Sequence, residues 1–242
     1  MNNYKLTIQF DGTHFHGWQV QISDRTVQGD IENALEKLFQ KKVTLIGSGR
    51  TDSGVHAKAQ IANFKISTNI EPENIKNALN ANLKNDVFIE NCEIVNDDFH
   101  SRFSAKEREY EYIISTKYQL FERYYTWNIK YSLDIDKLNE CAKYVMGEHD
   151  FESFCKATAE VDHKVCTVFQ SEWEVKDSHL VYHVKANRFL QHMVRYLVGT
   201  QIEVARGRLT IEDFKLLIDN VHDNKFVFRA PARGLFLKKI KY

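Results

Sequence analysis

With 242 residues, 43% hydrophobic and 27% charged, the chain can bury one generous core or two small domains sharing an interface, and its composition is neither disordered nor fibrous. It has no run of about 18 apolar residues, and the start, MNNYKLTIQFDG, lacks the basic-then-apolar layout of a signal peptide, so a cytoplasmic protein is expected. Thirty-three Lys and Arg balance 33 Asp and Glu; a nucleic-acid partner would therefore need a clustered basic patch, with Arg50, Arg102, Arg108, Arg123 and Arg188 among its candidates.

Tyr4 to Phe10 alternates polar and apolar residues as a half-buried strand does. Thr26 is placed to cap a helix whose apolar residues Val27, Ile31, Ala34, Leu35 and Leu38 recur at helical spacing and which ends near Phe39. Strand-like runs follow at Val43 to Ile46 and Ala59 to Ile66. Pro72 suits the first turn of a second helix running through Ile75, Ala78, Leu79 and Leu83, and Val87 to Val95 closes a βαββαβ order.

A second passage repeats the theme. Arg108 to Ser115 reads as a strand and Ile135 to Met146 as a helix, while Asp134 and Asp136 look like its caps. Cys166 to Val175 and Leu180 to Ala186 form a hairpin around Asp177-Ser178. The longest helix is expected from about Arg188 to Arg206, then a shorter one from Ile211 to Ile218 and a strand from Gly234 to Tyr242. An α+β chain of two ferredoxin-like halves sharing a mainly antiparallel sheet would explain this order. The join falls in Ser101 to Glu107, giving halves of 1–104 and 105–242.

Cys92, Cys141, Cys155 and Cys166 form no CxxC pair and read as buried free thiols. His179 and His183 can face the same way on a strand, but no third ligand accompanies them, so no metal is expected.

The stretch from Gly47 to Ala57, GSGRTDSGVHA, is the most unusual. Gly49 and Gly54 have the spacing of a phosphate loop, yet Val55 and His56 stand where Lys and Ser/Thr are required. Asp52 also occupies the place of the third glycine in a dinucleotide fingerprint. What remains is Arg-Thr-Asp held between glycines in a loop joining two strands. Asp52 could simply cap a tight turn. A loop of about a dozen residues is longer than such a turn needs, and long loops more often carry function.

GRTDSGVHA closely resembles the active-site motif of the TruA-type tRNA pseudouridine synthases. Other segments agree in order: Phe10-Asp11-Gly12-Thr13 with Gly17-Trp18-Gln19, Thr26-Val27-Gln28-Gly29, Arg102-Phe103-Ser104-Ala105, Tyr110-Glu111-Tyr112, Met193-Val194-Arg195 with Val198-Gly199, and Gly234-Leu235. The likeness covers nearly the whole chain. It implies a pseudouridine synthase fold with a central cleft, and an enzyme that isomerises uridine in the anticodon arm of tRNA, around tRNA positions 38–40. It further implies work without cofactor or metal, typically as a homodimer. Carried over residue by residue, Asp52 is the catalytic carboxylate and Tyr110 stacks on or assists the uracil. Arg50 occupies the gap left by the flipped base, Arg195 pairs with the carboxylate, and Leu235 lines the pocket. His56 is expected to fix the loop, and Trp18 and Gln19 to lie in a structured loop near the RNA path. Tyr196 and Cys166 depart from the residues many relatives carry at those places.

The chemistry agrees with that assignment. Pseudouridine formation breaks the N1 to C1′ bond, turns the uracil and joins C5 to C1′, which needs no hydride carrier or phosphate donor. One ionised carboxylate can serve as nucleophile or as base, and an arginine beside it keeps it charged and oriented. Two rival readings use the same features: a non-catalytic RNA-binding protein, and a glycosylase that releases the base.

Overall fold

The computed structural model describes residues 1–156, 163–219 and 227–242. Two compact units divide the chain: Met1–Lys106 with Phe236–Tyr242, and Glu107–Leu235. The expected halves put the terminal strand with the second passage. Here its pairing decides its unit, because Phe236 and Leu237 lie parallel to His56 and Ala57.

The first unit contains strands β1 (Asn2–Phe10), β2 (Ile46–Gly47), β3 (His56–Ile66) and β4 (Val87–Val95), with helices α1 (Val27–Phe39) and α2 (Pro72–Asn82). β1 lies between β4 and β3, antiparallel to both. Alternation on β1 places Tyr4, Leu6 and Ile8 inside, where Tyr4 stacks on Phe64; Val27, Ile31 and Leu35 of α1 are buried as well, all of them at most 1% exposed. Burying each such side chain contributes roughly 1.5–3 kcal/mol. Thr26 caps α1 as expected, its hydroxyl accepting from Gly29 N at 3.3 Å. Pro72 occupies the first turn of α2.

Val43 to Ile46 does not form the strand its composition suggests; only Ile46 and Gly47 join the ladder. The reason lies in α1. Leu45 N donates to Glu32 at 2.9 Å and Leu45 O accepts from Gln28 Nε2 at 3.0 Å, so side chains satisfy backbone groups that a ladder would otherwise use.

The second unit contains β5 (Glu107–Ser115), β6 (Trp127–Asn128), α3 (Ile135–Val145), β7 (Gly147–Asp150), β8 (Val165–Lys176), β9 (His179–Ala186), α4 (Met193–Ala205) and α5 (Ile211–Asp219). β9 pairs antiparallel with β5 and β8, and β8 with β7. The expected hairpin turns at Asp177, whose φ of 51° is the left-handed conformation. Asp134 caps α3, accepting from Lys137 N at 3.2 Å.

α4 is shorter than its periodicity suggests. His192 adopts φ 67°, so the helix opens at Met193, and Phe189 and Leu190 lie before it. Eleven of its 13 residues are buried, leaving only Arg195 and Tyr196 partly open. Among the described residues no helix is long and apolar enough to cross a membrane.

The final strand, β10 (Leu235–Lys241), begins at the last residue of the second unit.

Candidate active site

Glycine geometry builds the loop of residues 48–55 between β2 and β3. The three motif glycines, one at the end of β2 and two in the loop, have different parts. A Cβ on Gly47 would stand 2.5 Å from the Trp18 indole nitrogen, so only glycine lets that buried ring pass. Gly54 has φ 78°, a conformation that β-carbons resist. A Cβ on Gly49 would meet nothing within 4 Å, and the residue is exposed.

The segment from Asp11 to Trp18 packs along this loop. Gly12 lies so close that a Cβ there would meet Val55 O at 2.0 Å. Gly12 N also lies 3.0 Å from His56 Nδ1, and the Asp11 carboxylate 3.1 Å from the same nitrogen, which gives His56 the loop-fixing part expected of it. Trp18 N donates to Thr51 O at 3.2 Å, Gly54 N to Phe15 O at 3.3 Å, and Ser53 Oγ to Phe15 O at 3.2 Å. From below, Gln60 accepts from Ser48 Oγ at 2.5 Å and donates to Gly49 O at 3.0 Å. The loop is thus a rigid mount.

Arg25 anchors the supporting segment. It forks between Asp86 (2.6 and 2.8 Å) and Asp30 (2.7 and 2.9 Å), and its guanidinium lies 4.2 Å from the Phe15 ring centre. The Asp86 hydrogen bonds raise the pKa of Arg25, and the same bonds hold the Asp86 carboxyl below its usual range. Asp86 O accepts from Asp11 N at 2.9 Å, which passes this anchoring to the segment above the loop.

On that mount Asp52 is half-buried and Arg50 exposed. Arg50 Nε donates to Gln19 Oε1 at 3.1 Å. The Asp52 carbonyl accepts from Val55 N at 3.2 Å, so the turn after the aspartate is internally closed.

In the second unit, Tyr110 sits at mid-strand on β5, opposite Val184, half-buried and edge-on to Phe189 at 5.1 Å. Arg195 rises from the first turns of α4. Its Nε donates to Ala230 O at 2.9 Å, and its own carbonyl accepts from Ala230 N at 3.0 Å. Gly199, one turn on, admits that neighbour: a Cβ would meet Phe228 O at 1.9 Å. The segment then crosses β5, where Tyr112 OH donates to Pro231 O at 2.7 Å and Gly234 lies so close that a Cβ would be 2.7 Å from the Tyr112 ring. Burial raises the Tyr112 pKa, with Arg195 and Arg233 opposing, so the hydroxyl stays a donor. Leu235 follows, 5% exposed. One strip, Ala230 to Leu235, therefore ties the arginine helix to the tyrosine strand.

Arg50 and Asp52 belong to the first unit, and Tyr110, Arg195 and Leu235 to the second. Sequence reading did not single out Gln60 under the loop or Arg25 with Asp86, and it quoted Gln28 and Tyr112 only within the resembling segments, without their supporting roles. A polar residue inside a buried apolar run, as in Ala59-Gln60-Ile61-Ala62, was the available signal.

The remaining polar candidates have ordinary partners. His179 pairs with Glu122 at 2.6 Å and His183 with Glu174 at 3.0 Å. No group of three possible metal ligands occurs among the described residues. All four cysteines are buried and free, and desolvation pushes Cys92 and Cys141 up to about 12 and Cys166 to about 11. Cys166 is fully buried.

The chain belongs to the tRNA pseudouridine synthase family, whose sequence pattern matches residues 6–104 and 141–242. Arg50, Asp52, Arg195 and Leu235 fall inside the match, and Tyr110 in the stretch between its two parts. Among similar proteins, tRNA pseudouridine synthase A 2 of Clostridium perfringens is 40% identical over 244 residues, spanning 100% of both chains. tRNA pseudouridine synthase A of Dictyoglomus thermophilum is 40% identical over 246 residues, again with 100% of both covered. The enzyme of that name from Chlorobium limicola is 39% identical over 243 residues, likewise with 100% of each chain covered.

Proposed function

We propose that this protein converts uridine to pseudouridine in the anticodon arm of tRNA, with Asp52 as the catalytic carboxylate. The observation that carries the reading is the rigid 48–55 loop, within the family match, which presents a half-buried Asp52 beside an exposed Arg50. The uracil leaves C1′ through N1, turns, and rejoins through C5; the C5 proton goes to solvent and N1 takes one up, so atoms balance with no second substrate. Asp52 is equipped to attack the ribose carbon as a nucleophile or to remove a ribose proton as a base.

The other assignments complete the reading. Extruding a base from a stem costs a few kcal/mol. Tyr110 offers the extruded uracil a ring to stack on, worth about 1–3 kcal/mol. Its contact with Phe189, at 5.1 Å and nearly perpendicular, supports this, since it fixes where the ring stands on β5. Leu235 gives the pocket an apolar wall. Arg195 supplies the counter-charge that keeps Asp52 ionised, and Arg50 enters the vacated stack. We further read the protein as cytoplasmic and as a homodimer, because a formally neutral chain of this size has little basic surface for a whole tRNA. A monomer mass by light scattering at working concentration removes the dimer.

The deciding assay uses tRNA tritiated at uracil C5. Isomerisation releases tritium, with no free uracil and an intact strand. Free uracil would make the protein a glycosylase, and tight binding without release would make it a non-catalytic binder.

A further inference from the structure

Arg50 is an exposed member of the catalytic loop, yet it sits on immobilised backbone. The carbonyl before it, Gly49 O, accepts from Gln60 at 3.0 Å, and the carbonyl after it, Thr51 O, accepts from Trp18 N at 3.2 Å. Gln19, which holds its guanidinium, is mounted in the same way. Gln28 N donates to Trp18 O at 3.0 Å, and Gln28 Oε1 accepts from Val20 N at 3.3 Å, so a single residue bonds the backbone on both sides of Gln19. Gln28 is itself 8% exposed and tied to Leu45 O and Glu32, each at 3.0 Å. Two long, exposed side chains thus meet at 3.1 Å from two fixed points.

We propose that Gln19 is the positioning residue for Arg50, holding the guanidinium plane in the orientation that enters the stack as the uridine leaves. This rests on the reading of Arg50 as the gap filler. Two physical points favour it. A long arginine samples many rotamers, and ordering it beforehand removes an entropy cost that would otherwise fall at the moment of extrusion. The bond is made at Nε, the nitrogen nearest the stem, so it sets the plane of the fork while its far edge remains the leading edge. An amide also suits this task better than a carboxylate. It accepts the hydrogen bond without cancelling the positive charge or repelling RNA phosphates.

Single-turnover tritium release, at saturating enzyme, is measured on two full-length tRNA transcripts. In one the target uridine is base-paired in the stem; in the other its partner base is changed so that the uridine is unpaired. Loss of one such hydrogen bond predicts that Gln19→Ala slows the paired substrate about fivefold and the unpaired one less than about twofold. Arg50→Ala should show the same pattern more strongly, and adding Gln19→Ala to Arg50→Ala should change nothing further. Gln19→Glu keeps the acceptor, so it should retain the wild-type ratio of paired to unpaired rates while raising KM through phosphate repulsion. Equal slowing of both substrates by Gln19→Ala, or no slowing, while Arg50→Ala still discriminates, overturns the positioning role alone. If Arg50→Ala does not discriminate, the gap-filling reading falls and the Gln19 proposal falls with it.

Discussion

The two units hold their charged residues by opposite means. In the first, Arg50 and Asp52 ride on a loop, and polar groups immobilise it: Gln60 beneath, Trp18 and Phe15 backbone beside, Arg25 with its two aspartates behind. In the second, Arg195 stands on a helix buried on nearly every side, and one backbone strand, laid against Gly199, brackets it. A loop can bring a short carboxylate into the open, but every backbone group it exposes must find a partner. A buried helix needs fewer partners and instead demands close packing. The carboxylate thus depends on hydrogen bonds and the arginine on shape.

The chemistry gives the largest test of this comparison. Asp52→Asn should abolish turnover and leave tRNA affinity within about tenfold of wild type, because phosphate contacts dominate binding. Arg195→Ala should cost about 10²–10³-fold in turnover if its charge acts on the reacting group, in line with the loss of other positioned charges. Arg195→Lys should recover only part, since lysine keeps the charge without the fork that holds Ala230. Near-normal turnover in a folded Asp52→Asn protein would reject the catalytic assignment altogether.

Next come the glycines, one in each unit. Gly12→Ala drives a methyl into Val55 O, and Gly199→Ala drives one into Phe228 O, both backbone atoms that cannot swing aside. Each should cost more than about 3 kcal/mol, at the upper end for overpacking. Gly49→Ala, in the middle of the motif, should stay within about 0.5 kcal/mol, as surface changes away from special features do. Urea unfolding of the three variants checks the order. A Gly49 variant as damaged as the other two would mean that the loop tolerates no added carbon anywhere, contrary to the open space around it.

These contrasts also show what was legible before folding. Caps and periodicity placed most elements: Thr26, Pro72 and Asp134 each begin a helix where expected, and Val87–Val95 is a strand at the residues proposed. Failures occurred where tertiary partners replaced local ones. Val43 to Leu45 looked like a strand until α1 side chains took its backbone groups, and the helical pattern before Met193 is broken by the left-handed His192. β6 and β7 are short and lack an apolar alternation. The charged residues of the site were legible through the resemblance, but their supports were not. Gln60 is a glutamine among hydrophobic residues and Gln28 stands in the first turn of α1, and only the folded chain shows which carbonyls they hold.

A smaller effect than either buried glycine's concerns acid, and it separates the units again. In the first, Arg25 holds the Asp86 carboxyl below its usual range, so this pair stabilises the fold at pH values above the unfolded carboxylate's, about 3.9, and ceases to do so as pH falls through the lower folded value. In the second unit the lowered carboxyls, Glu174 and Asp213, lie at the surface and support no comparable anchor. Asp86→Asn should therefore lose about 1 kcal/mol at pH 6, discounted because both partners are about a quarter exposed. The gap to wild type should shrink as pH drops below about 3.9, where Asp86 of the unfolded wild-type chain takes up a proton, and close as pH passes the lower folded value. Urea unfolding at pH 6 and pH 3 reads this directly. No gap at either value would mean that Asp86 contributes through its backbone contact with Asp11, which asparagine keeps, and not through its charge.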